Sequence, residues 1–413
     1  MRILLSAFSC SPDRGSEPGI GWNWVRQVSR HHEVWVLMLG EYREQMEKAL
    51  TPNIHPVYVP SPQNYYRLVD SGLRGSEWVY YYWWQWKAYR VAKKLHAEIG
   101  FDLAHHVTFG SWRAPSFLSL LPIPFIWGPI GGGESVPKSL RRELGWKGHL
   151  FETIRDLSQR ASRWDPCVRL TMRRARVILA ANRETCEILP RRFQAKARTL
   201  FNTGMSVAET DQAPAIPRKP GEFLVLFVAR LDPHKGGTLA IQAFQQFATQ
   251  RGNARLIIIG DGPERARLVA LASSMGLAER VRFLGKVPRQ EVFGWMKAMD
   301  VLLFPSLRDS GGFVLLEAML ETKPVVCLDL GGPGEIVTGD CGIKVAAETS
   351  GQVVADLAAA LERLAGDAAL RQALGAAGRR RILERFDWDE KGRQMLAIYD
   401  QVLNRPPAVP AVG

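Results

Sequence analysis

The sequence predicts an α/β fold of two successive doubly wound domains, each a parallel sheet covered by helices. The chain has 413 residues, which gives room for two or three domains. Short apolar runs alternate with helix-like segments through the first half, as strands and helices do in parallel sheets. The alternation breaks at a stretch rich in Pro and polar residues, 202–221, and then starts again. A hydrophobic fraction of 46% is enough for two buried cores.

In the first half, the apolar runs predict strands at 3–8, 33–39, 101–105 and 124–127 and helices at 21–30 and 42–50. The first run is short and carries a single charge, so we interpret it as a buried strand rather than a signal peptide. No apolar run approaches the roughly 18 residues that a membrane span needs.

The second half predicts strands at 223–228, 254–259, 281–284, 301–304 and 324–328, followed by an amphipathic stretch at 388–403. We therefore expect a first domain at 1–205, a linker at 206–221 and a second domain at 222–386. A C-terminal helix at 387–405 is expected to return to the first domain. Residues 406–413, rich in Pro, Ala and Val, are expected to be disordered.

The positive charge is concentrated in the first half. The net charge is +13, and residues 1–200 carry +12 of it. An anionic substrate, a membrane surface or nucleic acid would each account for such a basic half. No helix-turn-helix, RNP or zinc signature accompanies the charge, which disfavours nucleic acid.

The five cysteines form no CxxC pair and no zinc spacing with His, so we expect reduced thiols in a cytosolic protein.

A cationic pair follows the first strand of the second half. In VARLDPHKGG, 228–237, Arg230 comes directly after the strand and Lys235 precedes two glycines. Open α/β sheets bind ligands at the carboxyl ends of their strands. Arg binds phosphate oxygens in a fork and Lys adds a point charge, so the pair suggests a phosphate site. The alternative is a solvated loop with two charges.

Two carboxylates eight residues apart follow a later strand. In FPSLRDSGGFVLLEAML, 304–320, a loop with Asp309, Gly311 and Gly312 opens a helix that carries Glu317. Glycines let a ligand approach the backbone, and a helix N-terminus offers N–H groups and partial positive charge to an anion. The two carboxylates can address different parts of one ligand. The alternative is that Asp309 is a simple N-cap and Glu317 a surface residue.

Three strand ends of the first half carry further candidates, namely Gly15, Ser16 and Glu17 in the loop after the first strand, His105 and Arg113 around FDLAHHVTFG, and Gly131 and Gly132 in FIWGPIGGG. Each glycine loop can also be a plain turn, and a lone His at a strand end is more often structural. GDGPER, 260–265, lacks the third glycine of a dinucleotide fingerprint, which disfavours an NAD enzyme.

Taken in order, VARLDPHKGG, IIIGDGPE, VRFLGKV, FPSLRDSGGFVLLEAM and KPVVCLDLGGPGEIV resemble the retaining family 4 glycosyltransferases of the GT-B fold. The resemblance is strong over 223–345 and weaker over the first half. It implies two Rossmann-like domains that face a central cleft. It also implies transfer of a sugar from a nucleotide diphosphate-sugar with retention of anomeric configuration, by a front-face route with an oxocarbenium-like transition state.

The resemblance assigns roles in the second half. Arg230 and Lys235 match the basic pair that neutralises the donor diphosphate. Glu317 matches the carboxylate that holds the ribose, and Asp309 the one that touches the donor sugar. The other donor-binding positions are Gly285, Val287, Gly311, Gly312, Phe313 and Val314. The sequence departs from the family pattern at Asp309, where Glu is usual, and at SGGF, where GFGL is usual, so the donor sugar and the role of Asp309 stay open.

The resemblance also assigns roles in the first half. Gly15 and Ser16 match a glycine-containing loop that approaches the donor, and His105 matches a strand-end His that contacts the donor sugar. From the residues themselves, we place Glu17, Arg113, Gly131 and Gly132 on the acceptor side, since Arg113 can meet an anionic acceptor and the glycines permit close approach of a substrate. The catalytic candidates are therefore His105, Asp309, Arg230 and Lys235.

No DxD-like carboxylate pair ends a strand, so we expect no metal and no cofactor, with the cationic pair in place of an ion. The expected partners are a nucleotide diphosphate-sugar and a glycan or lipid-linked acceptor of cell-surface polysaccharide or glycolipid synthesis. Two alternatives stay open: a GT-B-fold sugar-nucleotide epimerase and an inactive sugar-nucleotide-binding membrane scaffold.

Aromatic residues crowd 78–94, and Lys and Arg crowd 138–176. Trp and Tyr favour the membrane interface and basic residues favour anionic lipid, so these segments suggest a peripheral contact at the inner face of the cell membrane. The alternative is that the aromatic residues fill a core and the arginines are solvated.

Overall fold

The computed structural model describes residues 1–60, 76–206 and 213–404. By its internal contacts the chain divides into two compact units. The first unit contains 1–133, 158–202 and the chain from 388 onward, and the second contains 134–157 and 203–387. Each unit is described by itself below.

The first unit is built on a parallel sheet of seven strands in the order β3-β2-β1-β4-β5-β6-β7. The strands are β1 Arg2–Ala7, β2 Glu33–Leu39, β3 Ile54–Val59, β4 Leu103–Thr108, β5 Phe125–Ile130, β6 Val177–Ala180 and β7 Ala197–Thr199. The predicted strands at 3–8, 33–39, 101–105 and 124–127 correspond to β1, β2, β4 and β5. The sequence analysis missed β3, β6 and β7, which are short or only partly buried.

Among the described residues up to 194, the helices are α1 Ser16–Ser29, α2 Arg43–Glu47, α3 Ser76–Ile99, α4 Gly145–Ser162, α5 Pro166–Arg174, α6 Arg183–Ile188 and α7 Arg191–Gln194. Of these, α4 contains residues of both units. Short 3₁₀ segments occur at Gly40–Tyr42, Phe117–Leu120 and Lys138–Leu144. The first helix was predicted from 21, but it begins at Ser16, so Ser16, Glu17 and Gly19 lie in its first turn rather than in a loop.

The second unit is built on a parallel sheet of six strands in the order β10-β9-β8-β11-β12-β13. The strands are β8 Phe223–Val228, β9 Ala254–Ile259, β10 Val281–Gly285, β11 Val301–Phe304, β12 Val325–Leu328 and β13 Gly342–Val345. The five predicted strands of this half are confirmed to within a residue at each end. The edge strand β13 was missed because only its ends are buried.

The remaining helices are α8 Gly237–Gln250, α9 Arg265–Ser274, α10 Arg289–Ala298, α11 Phe313–Leu320, α12 Gly331–Ile336, α13 Ser350–Gly366, α14 Ala368–Arg385 and α15 Trp388–Val402. All but α15 belong to the second unit. In that unit α8 and α13 present apolar stripes to the sheet, as amphipathic helices over a parallel sheet do.

Both sheets are doubly wound, because the strand order reverses once in each. The reversal lies between β1 and β4 in the first unit and between β8 and β11 in the second. At such a reversal the connections leave toward opposite sides and open a crevice beyond the carboxyl ends of the two strands. The topology therefore marks one ligand-binding position in each unit.

The two compact units do not have the same bounds as the expected domains, and the second unit contains 203–387. Residues 134–157 were assigned to the first domain, but their contacts group them with the second unit. The reason is packing, since Val136, Leu140 and Leu144 are buried in the second unit's hydrophobic core. The expected disordered tail at 406–413 and the linker positions 207–212 lie outside the described residues.

The aromatic segment at 78–94 forms part of α3. Tyr80, Tyr81 and Trp84 are buried in the core of the first unit, while Trp86 is exposed. Among the helices that the structure describes, none combines the length and the apolar character needed to cross a bilayer.

Candidate functional site

An ion pair spans the strand reversal of the second unit. Lys235 follows β8 and Asp309 follows β11, and the Lys235 Nζ donates to Asp309 Oδ2 at 2.6 Å. Both side chains are mostly buried, at 20% and 16% exposure. The two residues that the sequence analysis placed in separate motifs therefore meet at the crevice that the topology marks.

Asp309 also accepts two backbone hydrogen bonds. Its Oδ1 accepts from the N–H of Gly311 at 3.1 Å and of Gly312 at 3.0 Å. Burial by itself raises the pKa of Asp309, but the charge and hydrogen bond of Lys235 and these N–H groups outweigh it, so the pKa is lowered and the carboxylate stays ionised. Asp309 is thus more than a simple N-cap, because it holds Lys235 and the loop before α11 together.

The loops around this ion pair are closely packed. Gly236 has a φ of 73°, and a Cβ added there would lie 2.0 Å from the carbonyl oxygen of Pro305. On the other side, the Gly332 N–H donates to the Asp309 carbonyl at 2.9 Å. Glycine is required at 236 both by the left-handed backbone and by the approach of the β11 loop. These contacts fix where Lys235 and Asp309 point.

Glu317 lies on the first turns of α11 and is only 8% exposed. Arg289, at the start of α10, places its guanidinium 3.0 Å from Glu317 Oε1. The alternative that Glu317 is a surface residue is therefore wrong. Arg289 was not among the predicted site residues, although it follows the predicted donor-binding positions Gly285 and Val287 by only a few residues.

The other donor-binding candidates lie at the same edge of the sheet. Arg230 follows β8, is 73% exposed and has its Nε 3.3 Å from Asp232 Oδ2. Gly285 ends β10 with a φ of 71° and open space around its α-carbon, and Val287 follows it half-buried. Phe313 and Val314 are half-buried at the start of α11. The carboxyl ends of β8, β10 and β11 thus bring these candidates to one edge.

A second buried ion pair lies beside this edge and was not predicted. Arg308 NH1 lies 3.2 Å from Glu152 Oε1, and the two side chains are 13% and 2% exposed. Next to it, burial and the charges of Arg308 and Lys235 lower the pKa of His234 to about 3. His234 is therefore neutral near pH 7 and adds no charge to the site. Nothing in the local sequence around Glu152 signals this pairing.

The strand reversal of the first unit carries a different group. Glu17, in the first turn of α1, accepts a hydrogen bond from the Gly110 N–H at 2.6 Å. This bond joins the first turn of α1 to the loop after β4. Burial raises the pKa of Glu17, an effect that the Gly110 hydrogen bond partly offsets. Gly15 and Ser16, just before it, are exposed, and Ser16 has a φ of 58°.

His105 is enclosed within the first unit. Its Nε2 lies 2.5 Å from the Gly128 carbonyl and its Nδ1 lies 2.7 Å from the Tyr399 hydroxyl. Because a carbonyl only accepts, Nε2 carries the proton and Nδ1 accepts from Tyr399. Burial lowers the pKa of His105 to about 3. Both ring nitrogens are used, so a sugar contact requires that one of these partners be displaced, and the predicted catalytic role stays a prediction.

The acceptor-side candidates share the loops of the first unit. Arg113 donates to the Ser158 hydroxyl at 3.0 Å and lies over the Trp78 ring at 5.1 Å. The Gly131 N–H donates to the Gly110 carbonyl, and the Gly131 carbonyl accepts from the Trp112 N–H. These two bonds fix Gly131 in the loop. Gly132 has a φ of 87°. Gly131 and Glu17 therefore both contact Gly110, while the Arg113 side chain contacts Ser158 and Trp78.

Most of the second unit also matches a known protein family in sequence. Residues 209–381 match the family described as glycosyl transferases group 1. In this segment, the chain is similar to the group 1 glycosyltransferases. The matched segment includes Arg230, Lys235, Asp309 and Glu317, which are the four charged candidates at the sheet edge.

Individual proteins that this chain resembles are glycosyltransferases as well. It is 30% identical over 249 residues to a 2-deoxystreptamine glucosyltransferase of Streptomyces kanamyceticus, an alignment that covers 57% of this chain and 63% of the relative. Alignments with the curated relatives matched first span between 44% and 63% of those relatives' own lengths.

Solved structures extend the likeness in fold. A sucrose-phosphate synthase from Thermosynechococcus elongatus matches with a TM-score of 0.66 at 17% identity, covering 98% of this chain and 99% of that one. Anabaena Alr3699/HepE in complex with UDP-glucose matches with a TM-score of 0.62 at 17% identity, covering 97% and 100%. The predicted fold class of two Rossmann-like parallel-sheet domains of the GT-B type is confirmed.

Proposed function

We propose that this chain transfers a sugar from a nucleoside diphosphate-sugar to an acceptor hydroxyl, with retention of anomeric configuration. The observation that carries the proposal is the Lys235–Asp309 pair at the strand reversal, directly before the N-terminus of α11. The similar Anabaena protein was solved in complex with UDP-glucose, which supports a nucleotide sugar as the donor class.

The chemistry needs a stabilised leaving group. As the glycosidic bond of the donor breaks, negative charge builds on the diphosphate. Lys235, the exposed Arg230 and the N-terminus of α11 are the cationic and dipolar groups at this edge. Preorganised charge of this kind typically contributes a few kcal/mol to lowering a barrier. Asp309 and Glu317 then remain for the donor sugar and the ribose.

The first test is calorimetric binding of a panel of nucleoside diphosphate-sugars to the full chain and to Lys235→Ala. We expect one of them to bind the full chain, and the variant to bind it at least about tenfold more weakly, because a charge-assisted phosphate contact contributes about 1.5–3 kcal/mol. Lys48→Ala is the matched control, since Lys48 is an exposed lysine paired with Glu44 in the first unit.

The proposal fails if no nucleotide sugar binds the folded chain, or if the Lys48 and Lys235 variants bind equally well. Hydrolysis or transfer of the bound donor separates a transferase from an inactive binding scaffold. Release of an epimerised nucleotide sugar would instead favour the epimerase.

We further propose that the transfer needs no metal ion, with Lys235 and Arg230 supplying the positive charge. Turnover in the presence of EDTA is expected to equal turnover in Mg²⁺ or Mn²⁺. A loss of turnover in EDTA that Mg²⁺ or Mn²⁺ restores contradicts this part of the proposal alone.

The acceptor is proposed to be a glycan or a lipid-linked sugar, in cell-surface polysaccharide or glycolipid synthesis at the inner face of the cell membrane. The basic first half of the chain supports an anionic acceptor or surface. To test this, the chain is incubated with the donor identified by calorimetry, carrying a labelled sugar, and with either extracted membrane lipids or soluble glycans. If neither fraction gains labelled sugar, the result contradicts this part of the proposal.

A further inference from the structure

Helix α4, Gly145–Ser162, carries an apolar stripe on its exposed side. Trp146, Leu150, Ile154 and Leu157 recur three or four residues apart, which puts them on one face of the helix. Their exposures are 74%, 52%, 56% and 58%. Phe151 flanks the stripe, and Trp164, two residues beyond the helix end, is 75% exposed.

This clustering is unusual within the described part of the chain. Eleven large hydrophobic side chains are exposed there, and six of them are these residues of 146–164. Scattered exposed apolar residues need no explanation, but a contiguous apolar patch on a protein surface marks an interaction site. The stripe therefore calls for a partner.

The charges of α4 are sorted between its two sides. The helix lies wholly in the described part of the chain and contains two acidic residues, Glu152 and Asp156. Glu152 is buried against Arg308 at 3.2 Å, and Asp156 pairs with Arg141 at 2.5 Å. Both acids are thus turned inward and neutralised, and they leave no negative charge on the exposed side of this helix.

The exposed side instead carries cations around the apolar stripe. Arg142, Lys147, Arg160 and Arg163 are exposed at or near α4. Lys147 lies over the Trp146 ring at 5.5 Å, and Arg169 lies over the Trp164 ring at 5.3 Å. Exposed Trp rings with adjacent cations, beside Leu and Ile, are the composition of helices that lie in the interface of a bilayer.

We propose that α4 binds an anionic lipid bilayer, lying parallel to its surface with the Trp146–Leu157 stripe in the acyl boundary and the cations at the phosphate headgroups. A protein partner is the less favoured occupant, because the centres of protein interfaces are depleted in lysine and in charge generally. The proposal takes up the membrane location proposed above, but it concerns binding alone and does not depend on the chemistry.

The experiment is co-sedimentation of the full chain with vesicles of phosphatidylcholine, alone or mixed with phosphatidylglycerol. We expect at least about tenfold stronger binding to the anionic vesicles, because each cation near such a surface adds attraction. The variant Leu150→Ser/Ile154→Ser/Leu157→Ser is expected to lose about tenfold or more of that binding. Lys147→Glu/Arg163→Glu, which leaves the apolar stripe intact, is expected to weaken anionic binding selectively.

The matched control is Val79→Ser/Val269→Ser/Leu383→Ser, which removes three exposed apolar side chains elsewhere and is expected to bind as the unsubstituted chain does. Thermal unfolding and donor binding, measured in parallel, show whether each variant is folded and keep this test separate from that of the transferase. Equal binding to both vesicle types, or full binding by the α4 variants, overturns the proposal. So does a dimer in sedimentation velocity that the triple α4 variant abolishes, because the stripe would then be covered by a second copy.

Discussion

Asp309 accepts hydrogen bonds from Lys235 and from the N–H groups of Gly311 and Gly312, so its carboxylate sits at the positive end of α11. At the residue scale, the Asp309 carboxylate and a donor phosphate therefore compete for the same positive groups. Each of these groups is available to the ligand only to the extent that Asp309 releases it.

Replacing Asp309 by Asn separates binding from chemistry. The variant leaves Lys235 without its anionic partner, so we expect UDP to bind as well as before or more tightly. Turnover is expected to fall on the order of 100-fold, since a group proposed to contact the reacting sugar is lost. Calorimetry with UDP and a turnover assay measure the two effects. A parallel loss of UDP affinity would mean that Asp309 mainly holds the loop, and Asp309→Glu, which retains the charge, would then restore binding.

Glu317 tests the nucleoside end of the site. Glu317→Gln removes the charge that we propose for the ribose, so UDP affinity is expected to fall about tenfold, the value of one charge-assisted hydrogen bond. Binding of inorganic pyrophosphate is expected to change little, because it has no ribose. Glu321→Gln, one turn further along the chain, is the control. An equal loss for UDP and pyrophosphate would contradict the ribose assignment.

At the scale of elements, the site depends on how closely the loops after β8 and β11 approach. Gly236 occupies the point of contact, with a positive φ and the Pro305 carbonyl against its α-carbon. Gly221 shares the positive φ, at 72°, but has open space around it. Both glycines therefore have a positive φ, but only Gly236 is crowded by a neighbouring loop.

Substituting each glycine by alanine isolates the crowding. Gly221→Ala is expected to lower the free energy of unfolding by about 1 kcal/mol, the cost of a left-handed L-residue. Gly236→Ala is expected to cost clearly more and to weaken nucleotide-sugar binding, because the β8 loop must move away from Pro305 and carries Lys235 with it. Denaturant unfolding and calorimetry measure both. Equal costs at the two positions would show that the loops can separate freely.

At the scale of the whole molecule, buried histidines couple folding to pH. Burial lowers the pKa of His105 to about 3 and of His106 to about 4, and both are enclosed in the first unit. In the unfolded chain a histidine titrates near its ordinary value of about 6.5. Below that pH the unfolded state binds more protons than the folded state, so stability falls as the pH drops from about 6.5 toward about 4.

We therefore expect the melting temperature to decline steadily over this range of pH. His105→Gln is expected to be less stable at pH 7, because it breaks the Gly128 and Tyr399 hydrogen bonds, but to lose less stability on acidification. Exposed His31→Gln is the control and is expected to follow the unsubstituted chain. Thermal unfolding across the pH range measures all three. An unchanged acid slope in His105→Gln would assign the acid sensitivity to other groups.

The local sequence was sufficient to predict those features of the fold that depend only on neighbouring residues. Apolar periodicity predicted the two parallel-sheet domains and most of their strands, because a buried strand is apolar along its own length. The same holds for Lys235, Asp309 and Glu317, since each lies at a strand end or helix start that the sequence marks. The strand β7 and the edge strand β13 were missed because they bury too few residues to show a pattern, whereas β6 is as apolar and as buried as β11 and could have been predicted.

Only the tertiary structure decided what depends on residues distant in the chain. It brought Arg289 to Glu317 and Arg308 to Glu152, pairs that no local motif announces. It grouped 134–157 with the second unit and enclosed His105 between Gly128 and Tyr399. It also turned the acids of α4 inward and its apolar stripe outward. A sequence specifies which side chains are available, but the pairing and exposure of each depend on the packing of elements that are far apart in sequence.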